Sequence, residues 1–186
     1  MTVKEKSQKS YETLKGTFGY KNVMAAPKLL KVVIGSGTGN AMKRNKNHND
    51  LVADRLTKIT GQKTALRGAK QSIATFKIRQ GDPVGISVTL RGPRMYGFLE
   101  KFFNIAVPRT KDFRGFNRTA VDSIGNLTLG LKEHTIFPET ADEDIKDVFG
   151  LSVTLVTSAK TKEEGTKFFE LLGVPFKSEA DSVKKK

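Results

Sequence analysis

The chain has 186 residues, two His and no Cys or Trp, and its 33 Lys and Arg against 19 Asp and Glu give a net charge of +14. The absence of Cys excludes thiol catalysis, disulfides and zinc ribbons, and leaves few catalytic or metal options. The charge is uneven: residues 1–59 carry +8, residues 60–118 carry +9 and residues 119–183 carry −6, before three final lysines. The first two thirds read as a surface for a polyanion, and the last third as one facing water or a basic protein. No run is long and apolar enough to span a membrane. The start, MTVKEKSQKSYETL, lacks the apolar stretch of a secretory signal, so a cytoplasmic location is expected.

Tyr11, Leu14 and Phe18 recur at helical spacing and predict one amphipathic helix over 4–18, ended near Gly19. A connector to Pro27 leads into a strand over 28–34, with Leu30, Val32 and Ile34 on one face and Lys31 on the other. Gly35, Gly37 and Gly39 follow. Their G-x-G-x-G spacing is not the dinucleotide fingerprint, and no Gly-Lys-Ser/Thr comes after it. Close approach of backbone to another chain or to RNA is the preferred reading. Lys43, Arg44 and Lys46 make the next stretch basic. Asn49 or Asp50 can cap a helix carrying Leu51, Val52, Leu56 and Ile59, stopped at Gly61. Residues 62–67 read as a short strand.

The stretch 69–91, AKQSIATFKIRQGDPVGISVTLR, organises the rest. Val84, Ile86, Val88 and Leu90 alternate with Gly85, Ser87, Thr89 and Arg91, the pattern of a strand with one buried and one polar face. Phe76-Lys77-Ile78-Arg79 alternates too, and Gly81-Asp82-Pro83 is turn chemistry. A β-hairpin with Lys70, Lys77, Arg79 and Arg91 along it is expected. Its basic, hydroxyl-bearing surface suits phosphate.

Gly92-Pro93 opens a helix whose Met95, Phe98, Leu99, Phe102, Phe103 and Ala106 form an apolar stripe, read as core. Residues 109–118 are an irregular basic segment. Leu127, Leu129 and Leu131 mark a half-buried strand. His134, alone and without ligand-spaced partners, is read as structural. Glu139, Asp142, Glu143, Asp144 and Asp147 form an acidic cluster without EF-hand spacing. Leu151, Val153 and Leu155 mark a last strand. Thr161 and Glu164 suggest a capping box for a helix burying Phe168, Leu171 and Leu172, with Gly173 and Pro175 as stop signals. Residues 178–186 are a charged tail, expected to be disordered.

These elements predict an α+β fold: a mainly antiparallel sheet with helices on one face and a basic hairpin extension, in a single domain over 1–177. The other face would present Lys31, Ser87, Thr89, Arg91 and Thr128. Hydroxyls and cations without exposed aromatics favour structured RNA over single strands. A nucleotide-binding enzyme using Gly35 to Gly39, and a basic adaptor that binds only proteins, remain alternatives.

The set PKLLKVVI (27–34), ITGQK (59–63), residues 69–109, DFRGFN (112–117), IFPE (136–139) and LVTSAKTKEEG (155–165) resembles, in order, the bacterial-type large-subunit ribosomal protein five family. The resemblance implies a non-enzymatic ribosomal protein with no cofactor, no metal and no catalytic residue. It implies binding of 5S rRNA and contacts with large-subunit rRNA and other proteins of the central protuberance. It also implies a loop near P-site tRNA and a bridge to small-subunit protein thirteen. The family's 5S-contacting positions match Lys31, Gln62 and Thr89, and by extension Lys63, Ser87 and Arg91. Where the family has Asn after the first strand, this chain has Gly35, followed by Ser36. The tRNA-proximal loop matches Lys70, Gln71, Ser72, Thr75, Lys77, Arg79 and Gln80. The bridge surface matches Arg109, Lys111 and Arg114 with Glu139, Asp142, Glu143 and Asp144. The family's F-D-G-R-G-N-Y segment is altered over 120–127, where an Arg and an aromatic are replaced.

Overall fold

The structure is a computed structural model, and it describes residues 2–39, 47–111, 113–141 and 148–177. The basic run Lys43, Arg44 and Lys46, the acids Asp142, Glu143, Asp144 and Asp147, and the tail 178–186 lie outside the described residues.

Five strands form one mainly antiparallel sheet: β1 (Leu29–Gly37), β2 (Ala65–Gly68), β3 (Pro83–Leu90), β4 (Leu127–Leu131) and β5 (Leu151–Thr157). Their order across the sheet is β2-β3-β1-β5-β4. Alternation in sequence becomes alternation in burial. Ile86, Val88 and Leu90, then Leu127, Leu129 and Leu131, then Leu151, Val153 and Leu155, are all buried. β1 departs from the expectation at its start. Leu29 is buried and Leu30 is 43% exposed, so the strict alternation holds only from Val32 onward.

The chain divides into two compact units, each assembled from separate segments. The first holds residues 1–32, 91–129 and 154–186. In it, the single N-terminal helix expected over 4–18 is two helices, α1 (Val3–Gln8) and α2 (Ser10–Phe18), interrupted at Lys9 with ψ near 1°. Thr2 and Glu5 close a reciprocal capping box on α1, and Gly19 ends α2 in the left-handed conformation at φ 65°. α4 (Gly92–Lys101) runs into a π turn over Phe102–Ala106, where the Val107 amide reaches the Phe102 carbonyl at 2.9 Å. Every residue of its expected apolar stripe is buried. Each large apolar side chain of the stripe contributes about 1.5–3 kcal/mol by leaving water.

The last helix of this unit, α5 (Lys162–Leu172), buries Phe168, Phe169 and Leu172, while Leu171 is only partly covered. Thr161 accepts the Glu164 amide at 3.3 Å, but the buried Glu164 carboxylate returns to the Lys160 amide at 2.7 Å rather than to Thr161. Its other oxygen accepts the Tyr20 hydroxyl. Burial, then the hydrogen bond and charge of Glu164, hold the Tyr20 hydroxyl well above its ordinary pKa.

The second unit holds residues 33–90 and 130–153. α3 (His48–Thr60) packs on β3 and ends at Gly61 in the left-handed conformation. Its N-cap is Asn47, not Asn49 or Asp50. Asn49 lies in the first turn, buried, and donates its amide to the Pro83 carbonyl at 3.2 Å. His134 has no exposed surface. It stacks on Phe149 at 4.2 Å between ring centroids, and its Nε2 lies 3.3 Å from the Arg55 guanidinium. The Phe149 amide lies 3.4 Å from the other ring nitrogen, Nδ1. Thr140 donates to the His134 carbonyl at 3.0 Å. His134 is therefore a packed core residue.

Candidate nucleic-acid interface

β2 and β3 pair antiparallel with Ala65 opposite Ser87, Leu66 opposite Ile86, and Arg67 opposite Gly85. Directly opposed residues share a face, so Arg67 joins Gly85 and Ser87 on the side away from Ile86 and Val88. Gly85 has no side chain, and the Arg67 stem lies over it. The Arg67 Nε then donates to the Ser87 hydroxyl at 2.7 Å. Gln62 donates its amide to the Thr89 carbonyl at 3.1 Å, which anchors the connector before β2 to β3. Lys63 beside it is exposed on the same connector. The result is a half-exposed polar strip of fixed geometry.

Sequence alone does not single out Arg67. It stands near the end of a four-residue strand with no clear alternation, and only the register places it over a glycine. The one signal is a lone cation two residues before the hairpin stretch.

Gly35 lies in β1, and its carbonyl accepts the Ser152 hydroxyl at 3.2 Å. A Cβ there would sit 3.5 Å from the Ser152 Oγ and 3.7 Å from the Ile86 carbonyl, ordinary contact distances, so the position has room for a side chain. Ser36 points the other way. It is buried, and its hydroxyl donates to the Gly150 carbonyl at 2.8 Å, so it does not replace a polar group on the Gly35 side.

In the first unit, Lys31 is half-buried on the side of β1 opposite Val32, and Arg91 is exposed at the start of α4. Thr128 and Thr154 share a hydroxyl hydrogen bond at 3.2 Å across β4 and β5. Neither Lys31 nor Arg91 makes an ion pair among the described residues.

The hairpin differs from the expectation in one respect. Its arms are β2 and β3, and residues 69–82 form a closed loop between them. Phe76-Lys77-Ile78-Arg79 is not a strand. Ala74–Phe76 form a 3-10 turn, and Lys77 adopts φ 52°, the one non-glycine with positive φ among the described residues. That left-handed residue reverses the chain, so alternation in sequence does not become alternation in space. Ile73 and Ile78 then pair in both directions, at 3.0 and 3.3 Å. Lys70, Gln71, Ser72, Thr75, Lys77, Arg79 and Gln80 are all exposed on this loop.

Arg109 and Lys111 are exposed in the segment after the π turn, and Arg114 follows them, exposed as well. That segment is pinned at Phe116, whose amide donates to the Pro175 carbonyl at 2.8 Å and whose carbonyl accepts from Lys177 at 2.9 Å. At Gly115, φ 96°, a Cβ would stand 2.9 Å from the Lys177 nitrogen, so the close pass needs glycine. Glu139 is exposed in the second unit. Its expected companions Asp142, Glu143 and Asp144 lie outside the described residues.

The glycine series is not a phosphate loop. Gly35 and Gly37 are strand residues, and the Thr38 amide continues the pairing to the Val84 carbonyl at 2.9 Å. No cluster of His, Asp or Glu able to hold a metal occurs among the described residues.

Residues 22–79 match the family described as Ribosomal protein L5, and residues 83–176 match the model of the same ribosomal family's C-terminus. The chain is 50% identical over 163 residues to the large ribosomal subunit protein uL5 of Natranaerobius thermophilus, covering 88% of this chain and 90% of that one. It is 47% identical over 176 residues to the protein of the same name from Dehalococcoides mccartyi, covering 95% and 98%. The chain belongs to the ribosomal protein L5 family, whose members are structural proteins and not enzymes.

Proposed function

We propose that this chain is a structural constituent of the large ribosomal subunit that binds 5S rRNA and helps dock it in the central protuberance. Lys31, Arg91, Gln62, Lys63, Arg67, Ser87 and Thr89 supply the 5S rRNA contacts. The loop 69–82 approaches P-site tRNA. Arg109, Lys111 and Arg114, with the acidic segment from Glu139, face small-subunit protein thirteen. One observation carries the reading: the polar side of β2 and β3, where Arg67 and Gln62 are held in place by Ser87 and Thr89. Five Lys and Arg stand between Thr60 and Leu90 with Asp82 as the single acid, so the field over this surface favours phosphate. Fixed hydroxyls and guanidinium groups on a sheet suit the backbone and 2′-hydroxyls of folded RNA.

Changing Lys31 and Arg91 together to Ala is expected to weaken 5S rRNA binding. It should also flatten the dependence of log K on log salt by about one unit for each phosphate that these side chains neutralise. A salt slope equal to that of the unchanged protein would remove both residues from the interface.

A further inference from the structure

We infer that the loop 69–82 carries a second kind of RNA contact, in which Phe76 packs on the open face of an unpaired, unstacked base. The inference rests on the reading of the chain as an RNA binder and adds a contact chemistry that the polar sheet surface does not have.

Phe76 is 53% exposed and Ile73 44% exposed on a loop that also presents Lys70, Lys77 and Arg79. Apolar groups of that size cost free energy in water, and here the fold does not cover them. The loop is also built to hold them. The Ala69 amide donates to the Asp82 carbonyl at 2.8 Å, and the Gly81 amide returns to the Ala69 carbonyl at 3.0 Å. Further out, the Gln80 backbone N–H donates to the Ser72 hydroxyl at 2.9 Å, and the Arg79 backbone N–H donates to the Asp82 carboxylate at 2.8 Å. At the tip, Lys77 takes a left-handed conformation and its amide bonds back to the Ala74 carbonyl at 2.9 Å. The left-handed region is unfavourable for a residue with a Cβ. Such an outlier, kept on an exposed loop, points to a shape that serves binding.

Charge selects the partner. Lys70, Lys77 and Arg79 surround the apolar tip, and none makes an ion pair among the described residues. Asp82, the only acid of the loop, is engaged by the Arg79 amide. An apolar protein partner would have to cover these cations, whereas RNA pairs them with phosphate and offers a flat aromatic face to Phe76. A shallow groove of about 480 Å³ lined by Lys70, Ile73, Ile78 and Val84 continues the apolar surface beside the tip. It gives a base and its sugar an apolar floor next to the ring.

The test uses the full chain and two synthetic RNAs of equal length and charge. One is a stem closed by a loop holding a single unpaired 2-aminopurine, and the other is a fully paired duplex. The unchanged protein is expected to prefer the looped RNA and to change the 2-aminopurine fluorescence on binding. Phe76→Ala should weaken binding about tenfold or more on the looped RNA only, the size of one base–aromatic stack, with the salt slope unchanged. Phe76→Trp should keep the preference. Phe76→Ala that binds both RNAs as before, or weakens both equally, would overturn the inference, as would tighter capture of a protein than of either RNA. Affinity of Phe76→Ala for 5S rRNA is measured alongside. It is expected to be unchanged, so failure of the unchanged protein to bind 5S rRNA would count against the ribosomal reading and not against Phe76.

Discussion

Gly35 and Gly125 show two opposite uses of a missing side chain. At Gly35 the backbone is extended and a Cβ would meet only ordinary contacts, so nothing in the fold requires glycine there. Gly35→Asn is expected to leave stability within about 0.5 kcal/mol, as a surface change does. It should tighten 5S rRNA binding by adding an amide on the side where Ser152 already lies. Urea unfolding and RNA titration check both parts, and a tighter complex is the result that assigns Gly35 to the interface. At Gly125 the chain takes φ 78°, and a Cβ would stand 2.6 Å from the Ala159 Cβ and 3.0 Å from the Thr161 carbonyl. Gly125→Ala combines backbone strain with overpacking and is expected to destabilise by roughly 2–4 kcal/mol, read as a lower urea midpoint.

At the scale of elements, α5 is tied to the residues after α2 through one polar cluster. Glu164 bonds Tyr20, the Lys160 amide and, through its own amide, Thr161. Because the folded chain holds the Tyr20 proton more tightly than the unfolded chain does, this stabilisation is intact below the ordinary tyrosine pKa of about 10. It declines as pH rises toward the higher folded value. Tyr20→Phe should therefore lose less stability than the unchanged protein between about pH 9 and pH 12, whatever its stability at neutral pH. Equal losses in the two proteins would show that the Tyr20 proton is not held by the fold. What can be read of such elements in advance follows from what sets them. α4 is legible residue by residue because Met95 through Ala106 keep a helical period that only a buried face needs. β3, β4 and β5 are legible through alternation. The outer part of the hairpin is not, because Phe76 to Arg79 alternate in sequence while Lys77 turns the backbone left-handed, a choice made by the loop's hydrogen bonds. The break at Lys9 and the role of Arg67 are hidden for a related reason: both depend on what the segment packs against or pairs with. Of the candidate interface, the polar positions of β3 and the exposure of the loop are readable. The burial of Ser36 follows from strand phase, since it continues the side of Val32 and Ile34.

For the whole molecule, a charge of +14 would serve almost any polyanion. What distinguishes this chain is that Arg67 stands on a strand, held by Ser87, and Lys70, Lys77 and Arg79 stand on a loop closed by its own hydrogen bonds. Preorganised donors reduce the ordering cost of binding and favour one RNA shape over another. The most direct measurement is equilibrium binding of the purified full chain to 5S rRNA and to a scrambled RNA of the same length, across a salt series. Tight binding that still prefers 5S rRNA at physiological salt is the expected result. Equal binding to both RNAs, vanishing together as salt rises, would contradict it and leave only generic attraction between a basic surface and phosphate.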